Sequence, residues 1–163
     1  MSKAQVITGD FVISMLVFMI LLAMIIPVWS YVDYQIRSSE EVKSMNSIVM
    51  LISDSFVRSG GYPADWNSTN VKSIGLADRD RELNLTKVLN LLEMNYNTAK
   101  KLMGIEAYEI YLTITDTDDN IINKGGQDLE YGSTITDAEN IVKMRRVSIL
   151  DREIVILNII VWN

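Results

Sequence analysis

Asp116, Asp118 and Asn120 alternate along the chain as oxygen ligands do at the start of a calcium-binding loop. The pattern stops there. Ile121 stands where such loops carry a turn glycine, and Gln127 where they carry a bidentate glutamate. A plain β-turn is the simpler reading, and Asp78, Asp80 and Glu82 repeat the spacing with the same shortfall. No metal site and no cofactor are expected. Two triplets, Asn67-Ser68-Thr69 and Asn84-Leu85-Thr86, fit the acceptor pattern for N-glycosylation, whose use requires an outward-facing domain. Asn84 is equally placed to cap a short helix. One further carboxylate, Asp10, sits at the edge of a long apolar run, where an unpaired charge is costly unless it is paired or held at an interface.

Other chemistries are closed off by composition. The chain has no histidine and no cysteine, so the commonest general base, the commonest zinc ligand, thiolate sites and disulfides are all missing. Neither a phosphate-cradling glycine loop nor a nucleophile motif is present; Ser59-Gly60-Gly61 and Gly125-Gly126 read as turns. No catalytic residue is identified, and the chain is not read as an enzyme. With 15 Lys and Arg against 21 Asp and Glu, a formal charge of −6 disfavours a grip on phosphate backbones, so no nucleic acid contact is expected.

The elements that position these residues begin with Phe11 to Trp29, an uncharged apolar run long enough to cross a hydrocarbon core of ~30 Å. Trp29, Tyr31 and Tyr34 follow it, where amphipathic aromatics favour the headgroup layer. Beyond Pro27 a helical stripe resumes: Val42, Met45, Val49, Ile52 and Phe56 recur at steps of three and four. One helix from about Gln5 to Val57 is therefore expected, bent near Pro27, with a transmembrane half and an amphipathic half. Ser59-Gly60-Gly61-Tyr62-Pro63 ends it. A loop with Trp66 as its one large side chain leads to two short helices, capped by Asn84 and by Asn95, the second stopped by Gly104. Tyr108 to Ile114, Ile141 to Leu150 and Glu153 to Trp162 read as strands, the last two joined by a tight turn at Asp151-Arg152. The fold class is α+β: a long N-terminal helix packed on a small antiparallel β-sheet, with the stripe from Val42 to Phe56 covering the sheet.

That architecture resembles the type IV pilins. More specifically, the Lys3-Ala4-Gln5 start and the segment Tyr62-Pro63-Ala64-Asp65-Trp66-Asn67 resemble archaeal pilin-like proteins with a class III signal peptide. The resemblance implies a prepilin-type peptidase that cuts ahead of the apolar run, commonly between Gly and Gln; the matching bond here is Ala4–Gln5, with alanine in the glycine position. It also implies a carboxylate on the fifth mature residue that compensates a neighbouring subunit's amino terminus. Here the fifth is Gly9 and the carboxylate is Asp10. Pro27 falls near the helix-bending proline of that family. The implied organisation is a leader over residues 1–4, a transmembrane or filament-core helix over 5–30 and an extracytoplasmic α+β domain over 31–163. The implied function is a structural subunit or minor component of a pilus-like cell-surface filament, with the membrane, the peptidase and like subunits as partners. The competing expectation is a membrane-anchored surface protein that never polymerises.

Overall fold

The structure, a computed structural model, describes residues 3–163, with side chains from Gly9 onward. Helix α1 (Lys3–Arg58) runs from the first of two compact units, Met1–Glu41, into the second, Val42–Asn163. In the second unit the apolar spacing does what its period requires. Met45, Val49, Ile52 and Phe56 are buried and Val42 is partly so, while Met50 and Leu51, between them on the other face, are exposed.

The chain then forms β1 (Ala77–Arg79), β2 (Glu82–Leu83), α2 (Leu85–Leu92), α3 (Tyr96–Met103), β3 (Glu109–Thr115), β4 (Asn123–Lys124), β5 (Gln127–Asp128), β6 (Glu130–Gly132), β7 (Ile141–Leu150) and β8 (Glu153–Trp162). Six of the strands make one sheet in the order β1-β2-β7-β8-β3-β6; β4 and β5 form a separate hairpin. Every pairing in the sheet is antiparallel except β2 with β7, where Glu82 and Leu83 lie parallel to Ile149 and Leu150. The sheet is thus mixed where a purely antiparallel one was expected. The two strands lie far apart in sequence and no tight turn joins them, so nothing local requires them to run antiparallel.

Ile110, Leu112 and Ile114 of β3, with Val155, Leu157, Ile159 and Val161 of β8, are buried in one cluster with the α1 stripe. Burying side chains of this size contributes about 1.5–3 kcal/mol each. Arg146 fixes β7 to α1, donating from Nε to Ser53 Oγ at 3.0 Å and pairing with Asp54 at 2.8 Å. Trp66 is buried, its Nε1–H shared between the carbonyls of Gly60 and Gly75, each at 3.0 Å, so it ties the loop after α1 to the core. Gly61 is required there: its φ is +74°, and a Cβ would stand 2.6 Å from both the Ser73 carbonyl oxygen and Trp66 Nε1.

Both short helices start on their asparagines. Asn84 Oδ1 accepts from the Lys87 N–H at 3.1 Å, and Asn95 Oδ1 accepts from Asn97 and Thr98. Gly104, at φ +71°, caps α3 in the left-handed conformation. Helix α3 is pinned to β3 by a polar trio. Glu109 accepts from Lys100 Nζ at 2.8 Å and from the Tyr96 hydroxyl at 2.6 Å. Burial and then the Glu109 carboxylate push the Tyr96 hydroxyl up to about 12, so it remains a donor. The Lys100 ammonium and then the Tyr96 hydroxyl hold the Glu109 carboxyl below its ordinary value of 4.5. A carboxyl with a depressed folded-state pKa stabilises above its unfolded pKa and loses that contribution as pH falls through the folded value. Glu109→Gln is therefore expected to lower the melting temperature at pH 7 and to converge on the parent at acid pH, once the parent's own carboxyl has taken up its proton. Thermal melts at the two pH values check this; a constant offset between the two proteins would show that the charge contributes nothing.

Candidate functional site

Leucine, isoleucine, methionine, valine and phenylalanine fill α1 from Phe11 to Trp29, and their unbranched or stiff apolar side chains are compatible with helix but leave no polar face. The most apolar 18-residue window of the helix has a mean hydropathy of 2.9, and none of it is buried. Phe11 is 68% exposed and Trp29 75%, so this segment is no core helix of a soluble domain. An exposed apolar surface far above a few hundred Å² requires a cover, either lipid or other helices. At 1.5 Å per residue the run spans about 30 Å, the thickness of a hydrocarbon core. Among the described residues there is thus one helix, near the N-terminus, long and apolar enough to cross a membrane.

Both ends of the run are marked. Asp10 is exposed at its start and has no ion-pair partner among the described residues. Ala4 and Gln5 belong to the α1 backbone, and their side chains lie outside the described residues, as does the rest of the leader expectation at Met1 and Ser2. Pro27 is accommodated inside α1, where its ring withholds the N–H that the Ala23 carbonyl would otherwise receive. Nearby, the Ser30 hydroxyl donates to the Ile26 carbonyl at 3.1 Å. After Trp29 the surface turns polar through i,i+4 pairs: Gln35 Nε2 donates to the Tyr31 hydroxyl at 2.7 Å, and Arg37 pairs with Asp33 at 3.0 Å. An uncharged span ends in an aromatic and ionic collar, the order of groups met on leaving a bilayer.

The other residues singled out by sequence are scattered over the second unit. Asp116 Oδ1 accepts from the N–H groups of Asp118 and Asn120, at 2.8 and 2.9 Å, so the carboxylate closes its own turn. The Asn120 side chain and N–H hold its pKa below the usual range. Asp78 receives both bonds of the Asn84 amide, and Asp80 faces Arg58. Among the described residues no group of three His, Cys, Asp or Glu is placed to hold a metal.

The two acceptor triplets differ. Asn67 is exposed, with Oδ1 accepting from the Thr69 hydroxyl at 2.7 Å and Nδ2 without a hydrogen-bond partner among the described residues. Asn84 uses both ends of its amide, Oδ1 on the cap and Nδ2 on Asp78 at 2.9 and 2.8 Å. A glycan linked at Asn84 Nδ2 would displace the Asp78 contact.

Sequence reasoning missed an arginine cluster. Arg58, Arg81, Arg145 and Arg146 line one cleft with Asp54. They come from three separate stretches of sequence, and Arg81 is brought beside the others by the β2–β7 pairing and by its N–H, which donates to the Val57 carbonyl at 2.6 Å. Three of them are matched by acids, Arg58 by Asp80, Arg146 by Asp54 and Arg145 by Asp119, so the cluster is largely neutralised from within. No family model, curated protein or solved structure matches the chain.

Proposed function

We propose that the chain is a pilin-like structural subunit, or a minor component, of a type IV pilus-like surface filament, assembling through its N-terminal apolar helix. The observation that carries this reading is the unburied, uncharged run of α1 with a single acid, Asp10, at its start and a separately packed α+β unit after it. Lipid covers such a helix before assembly, and the helices of neighbouring subunits cover it afterwards. Asp10 supports the second state. A carboxylate moved into an apolar helix core is tolerated when a cation compensates it, and a free amino terminus of a neighbouring subunit supplies one.

On this reading a prepilin-type peptidase cuts between Ala4 and Gln5, the α+β unit faces outward, and no catalytic step is involved. Asp10→Ala is expected to abolish filaments while leaving membrane insertion and the melting of the α+β unit unchanged, because the partner of the carboxylate exists only between subunits. Electron microscopy of the cell surface, with mass measurement of the N-terminal peptide of native protein, tests both parts. Normal filaments with Asp10→Ala, or a mature chain that still begins at Met1 or Ser2, would leave a membrane-anchored surface protein that binds other envelope components as the better account.

An outward-facing unit also exposes its acceptor asparagines to glycosylation. The unengaged Nδ2 of Asn67 and the engaged Nδ2 of Asn84 predict glycan on the first and none on the second. Peptide mass spectra of native protein would show it. Glycan at Asn84 alone would contradict this, since linkage at its Nδ2 has to displace the bonds to Asp78, whereas the Asn67 Nδ2 has no such contact to give up.

A further inference from the structure

Strand β7 is ten residues long, and its neighbour β2 covers only the last two, Ile149 and Leu150. The direction of the uncovered backbone groups follows from the hairpin. Leu150 and Glu153 flank the two-residue turn, so they form a hydrogen-bonded pair, and bonded pairs then recur at every second residue back along β7. The alternate residues, Ile141, Lys143, Arg145, Val147 and Ile149, therefore aim their N–H and C=O away from β8. Ile149 confirms the phase, since its N–H donates to the Arg81 carbonyl at 2.7 Å. Beyond it, the outward backbone groups of Lys143, Arg145 and Val147 have no backbone partner among the described residues. The side chains of these three residues are exposed. Val147, Ile149 and Ile154 add an exposed apolar patch beside that edge, at 61%, 44% and 61% exposure. A long, exposed strand edge next to apolar side chains is a template for another strand.

The same chain holds a segment suited to it. Thr134-Ile135-Thr136 is β-branched throughout, exposed, outside every strand and helix, and without a backbone–backbone hydrogen bond among the described residues, the Thr134 carbonyl accepting from the Ser133 hydroxyl at 3.4 Å. Its Ile135 is 42% exposed. The charges complement as well. Between Asp116 and Glu139 the chain carries seven acidic residues against Lys124 alone, whereas β7 carries Lys143, Arg145 and Arg146 and no acid. Arg145 is held by Asp119, but Lys143 has no ion-pair partner among the described residues. Asp137, directly after the Thr-Ile-Thr segment, supplies the opposite charge.

We infer that the open edge of β7 is an interface between copies of this chain, on which residues Thr134–Thr136 of a second copy add as a strand over Lys143–Val147. The contact uses only the α+β unit, so it stands apart from the helix-core reading above.

The absence of cysteine makes the test clean. Two single-cysteine versions of the full chain, Ile135→Cys and Lys143→Cys, carrying tags of different mass, are mixed in detergent micelles and oxidised. A mixed disulfide at least ten times more abundant than that of a control pair, Ser68→Cys with Lys143→Cys, is the expected result. Adding Val147→Pro to the Lys143→Cys chain removes an outward N–H and no β7–β8 bond, so it is expected to reduce the mixed product to the control level. Lys143→Glu, tested by sedimentation without any cysteine, is expected to weaken self-association in the same way and is no threat to folding at an exposed site. Mixed product at the control level between folded chains would overturn the interface. The cross-link is expected to persist in Asp10→Ala; its presence there without filaments would sustain the edge contact alone, and filaments without the cross-link would sustain the helix core alone.

Discussion

Val49→Asp is expected to unfold the α+β unit at ambient temperature, whereas Leu51→Asp, two residues along the same helix, is expected to be nearly silent. Val49 is fully buried in the cluster that joins α1 to the sheet, and Leu51 is 71% exposed. An ionised carboxylate at position 49 has water on no side. It either remains charged without a partner, at a cost of several kcal/mol, or takes up a proton, which costs free energy at pH 7 in proportion to the pKa shift. The lost contacts of the valine add about 1–2 kcal/mol. Domains of this size are stable by about 5–15 kcal/mol, so the sum consumes most of the margin. At position 51 the same charge stays in water, and surface changes of that kind lie within about 0.5 kcal/mol. Thermal unfolding of the two full-length variants, followed by near-ultraviolet dichroism of the buried Trp66 and Trp162, separates the cases. Equal melting temperatures would show that α1 does not cover the sheet through its Val49 face.

The second large effect concerns the apolar run. Val17→Asp with Leu21→Asp places two carboxylates one turn apart in the middle of the run, where each costs about 2.5–3.5 kcal/mol on insertion scales. Together they disfavour the spanning state by roughly 5–7 kcal/mol, about four-thousand- to hundred-thousand-fold. Flotation of cell membranes is expected to find the parent chain in the membrane fraction and the double variant outside it. The Trp66 and Trp162 dichroism of the α+β unit should be unchanged, because positions 17 and 21 belong to the other compact unit. Retention of the double variant in membranes would mean that something other than this run holds the chain there. Asp10 is a useful contrast: it already carries a carboxylate, but at the edge of the run, where a charge costs less than at the centre of a span.

Much of this protein is written locally. A period of three and four residues placed the buried face of α1 because a helix turns that face to one side whatever it meets. Asn84, Asn95 and Gly104 mark the ends of α2 and α3 because unsatisfied N–H groups at a helix start and a left-handed residue at its end are properties of the adjacent few residues. The two-residue gap at Asp151-Arg152 demanded a tight hairpin, and both residues accept positive φ, 51° and 70°, without a glycine to ease it. The uncharged length of Phe11–Trp29 likewise needs no tertiary information to be read as a candidate span.

What the tertiary structure decided is everything that depends on which distant segments meet. Strands β1, β2, β4, β5 and β6 are two or three residues long, too short to show any alternation, and they exist only because a neighbouring strand supplies their hydrogen bonds. The parallel β2–β7 pairing, the Arg146 contacts to Ser53 and Asp54, and the Lys100–Glu109–Tyr96 trio all join residues whose sequence neighbours carry no sign of the partner. Asn84 shows the division in a single residue: the triplet Asn-Leu-Thr and the cap position are both local, but the choice between a free and an engaged amide lay with Asp78, which the turn through β1 and β2 folds back against it. Hydrogen bonds and ion pairs are short-ranged, so their partners are set by where the chain returns in space, and that return is settled by the packing of the whole core rather than by any segment of it.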